Sequence, residues 1–102
     1  MRSNLIYKIS CSCGKKYIGQ TGRNLYTRMD EHSKTDGASL TAVGEHISEN
    51  PDHSVNLANP DVLGYSPYFW KRLFKESLFI QSERPELNVQ RETKKLFLFN
   101  TV

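Results

Sequence analysis

Asn4-Leu5-Ile6-Tyr7-Lys8-Ile9-Ser10 precedes Lys16-Tyr17-Ile18-Gly19-Gln20, with Cys11-Ser12-Cys13-Gly14 as the connection. Both flanking stretches are rich in β-branched and aromatic residues, and the connection carries a Cys-Gly turn signal, so the pattern predicts an antiparallel hairpin. A loop longer or shorter by one residue would flip the facing side chains, so the register stays open. Thr21-Gly22 is expected to break the second strand. Asn24 then suits a helix N-cap, with a helix to about Ser33. Leu25, Met29 and His32 share one face of it, and Arg28 borders that stripe. A second helix is expected over Ser39–Ser48, with Leu40, Val43 and Ile47 inward, ended by Asn50-Pro51-Asp52. The chain should return to the sheet between His53 and Gly64, with Asp61–Gly64 as a third strand. Ser66-Pro67 reads as an N-cap followed by Pro at the first helical position, opening a helix to about Ser82. On that helix Phe69, Leu73, Glu76 and Ile80 form the inward stripe. After Arg84-Pro85, the alternation of Leu96 and Leu98 with Phe97 and Phe99 fits a strand or a docking segment. The fold class expected is α/β in the mixed, α+β sense: a small antiparallel sheet with helices.

At 102 residues the chain is expected to be a single domain, 1–102, with little stability to spare. No apolar run is long enough to span a bilayer and no secretory signal is visible, so no membrane role is expected. The net charge of +3 is unevenly spread. Residues 1–29 carry six bases and no acid, residues 30–66 one base and seven acids, and residues 67–102 seven bases and four acids. The first block is either a positive surface suited to a polyanion, with Lys8, Lys15, Lys16 and Arg23 as candidate nucleic-acid contacts, or a solvated basic hairpin with no partner. Cys11 and Cys13 are too close for an ordinary structural disulfide and have no other cysteine to pair with, which favours a reducing, intracellular compartment, nuclear or cytoplasmic.

Four groups of residues bear chemistry. A carboxylate in an apolar stripe costs several kcal/mol, on the order of known charge-burial penalties, unless it is paired or neutralised. Glu76 therefore calls for a divalent cation, or for an ion pair with Arg72 one turn earlier. Arg28 and His32 share a helix face and can reach one phosphate, the first to stabilise charge and the second to hold or move a proton. Tyr7 and Tyr17 are either packing residues or, with a pKa brought down by Lys8, Lys15, Lys16 or Arg28, proton acceptors. Cys11, Cys13, His46 and His53 offer two sulfurs and two imidazoles, a chemically sensible zinc shell. Their spacing, Cys-x-Cys and histidines seven positions apart, also allows two surface thiols and two unrelated histidines.

The two triplets Leu5-Ile6-Tyr7 and Tyr17-Ile18-Gly19, followed in order by Arg28, His32, Glu76 and Asn88, resemble the GIY-YIG family of metal-dependent DNA endonucleases. The likeness covers about residues 4–90, with Leu5 in place of the family's first glycine. It implies a three-stranded antiparallel sheet flanked by helices, with Tyr7 activating the attacking water and Tyr17 close by. It also implies Arg28 and His32 on the phosphate, Glu76 holding one Mg²⁺ (or Mn²⁺), and Asn88 supporting the site. Cysteines inside the first motif, histidines after it, and the phrases Cys13-Gly14-Lys15-Lys16-Tyr17-Ile18-Gly19-Gln20-Thr21-Gly22-Arg23, Glu45-His46 and Trp70-Lys71-Arg72 are similar to the endonuclease domain of Penelope-like retroelements. That likeness implies a structural zinc on Cys11, Cys13, His46 and His53, joining the hairpin to the segment around 46–53. It further implies a tethered reverse transcriptase, a nick that exposes a 3′-hydroxyl for priming, and a nuclear setting. The expected partner is DNA, and the expected state a monomer or weak dimer. The rivals are a repair or structure-specific nuclease of the same family, and a non-catalytic, zinc-stabilised nucleic-acid-binding module.

Overall fold

The computed structural model describes residues 3–34 and 41–88. Its elements, in order, are β1 (Leu5–Ser10), β2 (Lys16–Thr21), α1 (Leu25–Ser33), α2 (Ala42–Glu49), β3 (Asp61–Tyr65) and α3 (Phe69–Glu83). The strands form one antiparallel sheet in the order β2-β1-β3, so the first strand is central. This is an α+β fold, a three-stranded antiparallel sheet with helices, as the sequence predicts. The segment around Leu96–Phe99, expected as a strand or a docking segment, and the inward residue Leu40 lie outside the described residues.

β1 is central because its side chains are apolar on both faces. Leu5, Tyr7 and Ile9 point into a core with Leu25 and Met29 of α1, Val43 of α2, and Leu87. Ile6, with no exposed surface, lies on the other face, where its Cδ1 nears Gly64 beside Phe79 of α3. Lys8, also on that face, pairs with Glu83 of α3 at 3.1 Å. Leu5, at the position of the family's first glycine, is thus a core residue. The register left open by the sequence pairs Tyr7 with Gly19 and Ser10 with Lys16. Gly14 makes that turn with φ at +93°, a conformation that favours glycine. Cys11 bridges to Val55, so the returning chain rejoins the sheet before β3.

β3 and α2 each run one residue further than expected, to Tyr65 and Glu49, and three other boundaries differ for a visible reason. Thr21 stays in β2, paired with Leu5. α2 starts at Ala42, because the Thr41 side chain accepts the Gly44 N–H and so caps the helix there. α3 starts at Phe69, because Ser66 Oγ accepts from Tyr68 N–H in the preceding turn and leaves the helix without a side-chain cap.

The inner face of α3 also differs. Phe69 is 49% exposed, while Arg72 is 6% exposed. Arg72 donates to Gln20 Oε1 at 2.8 Å, Asn4 Oδ1 at 3.1 Å and the Ser66 carbonyl at 3.1 Å. It locks the start of α3 to both ends of the hairpin, and among the described residues it forms no ion pair with Glu76. The ion-pair reading of Glu76 is therefore set aside, and a buried guanidinium held by neutral oxygens replaces one apolar position of the expected stripe.

A Cβ on Gly19 would lie 2.6 Å from Tyr7 Oη, 2.8 Å from its Cζ and 2.9 Å from a Tyr17 ring carbon. The Tyr7 ring therefore lies across the glycine of the neighbouring strand. Gly19→Ala should destabilise the domain by about 1–3 kcal/mol, the usual cost of overpacking. A denaturant melt reads this directly, and an unchanged midpoint would mean that the ring can move aside without cost.

Candidate active site and metal-binding cluster

β1 carries Tyr7 onto the face covered by α1. The apolar stripe of α1 turns Met29 and His32 inward, both buried, with Arg28 at its margin. The Tyr7 hydroxyl lies 2.8 Å from His32 Nε2 and accepts from Arg28 Nε at 3.1 Å. His32 Nδ1 lies 2.9 Å from Thr41 Oγ1. Tyr17 completes an aromatic nest, its ring centroid 5.2 Å from that of His32 and 6.5 Å from that of Tyr7. Tyr7, Tyr17, Arg28 and His32 are thus brought together.

Glu76 comes from α3, on the other side of the sheet, yet its charge is felt by Tyr7 and it in turn feels Arg28. Burial pushes its carboxyl above the usual range, and Arg28 only partly offsets this. A half-buried carboxyl whose charged form is disfavoured by burial gains from a cation beside it, and hard cations take oxygen donors.

Burial also raises Tyr7, with help from Tyr17 and Glu76, and outweighs the lowering by Arg28. The expectation that basic neighbours bring the Tyr7 pKa down is therefore overturned. Lys8 stands on the opposite face with Glu83, and the ring has lost its water. His32 is driven down to about 3, first by burial and then by Arg28, so it is a neutral imidazole across the physiological range.

Asn88 is placed differently from the other four. Its Oδ1 accepts the Ile18 N–H at 2.7 Å and its Nδ2 donates to the Ile18 carbonyl at 2.8 Å. The carboxamide serves β2 as a further strand would, holding the backbone between Tyr17 and Gly19. It braces the site through the sheet.

Of the candidate DNA contacts, Lys8 pairs with Glu83, and Arg23 pairs with Glu31. Lys15 and Lys16 have no ion pair among the described residues.

Cys11, Cys13, His46 and His53 also converge, their donor atoms all within 4.8 Å of one another. Cys11 follows β1, Cys13 lies in the hairpin turn, His46 is on α2, and His53 is in the segment after it. His46 Nε2 lies 3.2 Å from Cys11 Sγ, 3.5 Å from Cys13 Sγ and 3.3 Å from His53 Nδ1. One imidazole nitrogen offers a single proton or a single lone pair, so three such contacts are not three hydrogen bonds. They are close to the edges a metal shell would have: with metal–sulfur and metal–nitrogen bonds of about 2.3 and 2.0 Å, a tetrahedron has S···N edges of about 3.5 Å and N···N edges of about 3.3 Å, so the four side chains could hold a metal ion. Burial, His53 and Lys15 lower His46, and a backbone hydrogen bond at Lys15 leads the causes that lower Cys13. Both shifts favour the forms that bind metal, a neutral imidazole and a thiolate.

Thr41 is the site residue that the sequence alone does not reveal. Its visible signal is that of a helix cap, and nothing in the chain order ties it to His32.

The unfolded chain takes up a proton at His32 near pH 6.5, and the folded one not until about 3. Between those values the unfolded state binds more protons, so stability is full above the window and is lost as pH falls through it, at up to about 1.4 kcal/mol per pH unit. Comparing pH-dependent denaturant melts of the parent with His32→Gln isolates this group. Parallel curves would mean that His32 is not held neutral.

No curated protein and no solved structure is significantly similar to the chain. Residues 3–95 of the 102 match the family model of the GIY-YIG catalytic domain, which implies a nuclease acting on DNA. With Tyr7, Tyr17, Arg28 and His32 gathered on one face of a three-stranded antiparallel sheet, and that match running nearly end to end, the chain belongs to the GIY-YIG family.

Proposed function

We propose that this domain is a divalent-metal-dependent DNA endonuclease that hydrolyses a phosphodiester bond and leaves a 3′-hydroxyl. The observation that carries this reading is the shared Tyr7 hydroxyl, bonded to Arg28 on one side and His32 on the other, within the field of Glu76. Because Tyr7 is protonated at rest, it acts as a base by exchange. Its oxygen takes a proton from the attacking water while its own proton moves to the free lone pair of neutral His32. The water oxygen bonds to phosphorus, the bond to the 3′-oxygen breaks, and that oxygen takes a proton from solvent. Arg28 stabilises charge on the phosphate oxygens, and Tyr17 walls the site. Glu76 is the residue to hold a Mg²⁺ or Mn²⁺ ion, which when bound offsets charge on the phosphate.

The Cys11, Cys13, His46 and His53 set takes zinc in this reading, as a structural ion. The convergence of Cys11, Cys13, His46 and His53 between the hairpin and the segment near His53, together with the sequence phrases that resemble Penelope-like elements, supports a retroelement role. The nick would then prime a tethered reverse transcriptase in a nuclear setting, to which two unpaired cysteines are suited. Exposed Lys16 and neighbouring Lys15 are the first candidates for phosphate contacts.

Two experiments test this. Nicking of supercoiled plasmid with Mg²⁺ should be lost in Glu76→Ala and fall by about 10²–10⁴-fold in Tyr7→Phe, the usual worth of a general base. Glu76→Ala should melt no lower than the parent, because it removes a carboxylate that burial disfavours. DNA binding without cutting by the parent would move the reading to a non-catalytic binding module. Zinc content should be one ion per chain and should vanish in Cys11→Ser with His46→Ala. A chelator should lower the melting temperature of the parent, and an unaffected melt would rule out a structural metal.

A further inference from the structure

Thr41 stands at the far end of the polar chain that starts at Tyr7, and neither chain order nor family likeness gives it a part. The protons along that chain can be assigned one by one. Arg28 Nε carries a hydrogen and can only donate, so Tyr7 Oη accepts it. The Tyr7 hydrogen then needs an acceptor of its own. His32 Nε2, 2.8 Å away, supplies it if that nitrogen carries no proton. A neutral imidazole with a bare Nε2 has its proton on Nδ1, and Thr41 Oγ1 receives it at 2.9 Å. The same oxygen accepts the Gly44 N–H at 3.1 Å, so both of its acceptor positions are used.

We infer that Thr41 is a positioning residue for the nuclease site: its hydroxyl oxygen holds His32 in the Nδ1–H tautomer and so points the Tyr7 proton toward His32. Without that oxygen, the Nδ1–H of a histidine with no exposed surface loses its partner, a costly state. The imidazole then shifts its proton to Nε2. Two N–H groups, from Arg28 and from His32, would meet at Tyr7 Oη, and the Tyr7 hydrogen would turn toward the place where water and phosphate bind. The oxygen that should take a proton would offer one instead. Thr41 is thus both the cap of α2 and the outer partner of the histidine, and the placement of α2 sets the tautomer.

The test compares Thr41→Val, which keeps the shape and removes the hydroxyl, with Thr41→Ser, which keeps the hydroxyl. The ¹⁵N resonances of the His32 ring report its tautomer without reference to activity. The parent and Thr41→Ser should show a single Nδ1–H tautomer, and Thr41→Val should lose it. Plasmid nicking, measured well below the melting temperature of each variant, should fall on the order of 10–100-fold in Thr41→Val, as for other outer-partner losses, and stay within about twofold in Thr41→Ser. A helix cap alone predicts something else: a lower melting temperature in Thr41→Val with the tautomer and the rate unchanged, and that result overturns the inference. So does a parent His32 found in the Nε2–H form. The inference rests on the nuclease reading only for its rate arm. A parent that does not cut sinks that reading, while the tautomer result stands or falls by itself.

Discussion

A phenol hydroxyl removed from water sets the terms for this structure. Tyr7 has no exposed surface, and burying a hydroxyl without a partner costs roughly 2–7 kcal/mol depending on the reference state. The fold meets that demand with Arg28 and His32, one turn apart on α1. His32, equally buried, passes the demand on to Thr41 at the start of α2. The ring needs room as well, and Gly19 on the neighbouring strand leaves it. Two strands and two helices are therefore fixed relative to one another by the needs of one side chain.

Two of these elements, β1 and α2, also anchor the cysteine–histidine cluster. β1 carries Tyr7 and runs on to Cys11, while α2 begins after Thr41 and carries His46. The polar chain that ends at Thr41 and the cluster that includes His46 lie at different points of one eight-residue helix. Whatever holds His46 against Cys11 also holds Thr41 against His32, because a short helix moves as a rigid piece. A metal in the cluster, in the proposed reading, stiffens the site from outside it. Small domains have few apolar contacts to spare, and a metal clamp replaces them.

Burial treats the ionisable groups of the site alike. It raises Tyr7 and Glu76 and lowers His32, favouring the neutral form of each. Arg28 goes the other way: burial works against its charged form, and Tyr7, Tyr17 and Glu31 together outweigh burial. In the proposed reading, the site presents one fixed cation, Arg28, and a carboxyl, Glu76, whose charged form a bound metal would favour. The strongly basic first third of the chain is less of a free surface than composition implies, since Arg23 and Lys8 are each paired with a glutamate.

Local chemistry made the elements legible in the chain. Alternation and β-branching located the strands, Asn24 marked the start of α1, and the spacing of Leu25, Met29 and His32 pointed a histidine inward. The order of Tyr7, Tyr17, Arg28, His32, Glu76 and Asn88 carried the family likeness, and all but Asn88 lie in β1, β2, α1 or α3, elements with fixed periodicity. The start of α3 and the inner face around Arg72 did not follow from pattern, since a buried guanidinium is stabilised by Gln20, Asn4 and Ser66, which are distant in sequence. The direction of the Tyr7 pKa was equally hidden. Nearby lysines in the chain suggest lowering, but alternate residues of a strand face opposite ways, and Lys8 is on the far side of the sheet. Thr41 shows the limit most clearly. Its capping role is local and readable, whereas its bond to His32 exists only because α1 and α2 pack together, and no spacing in a sequence records which helix a side chain will meet across a core.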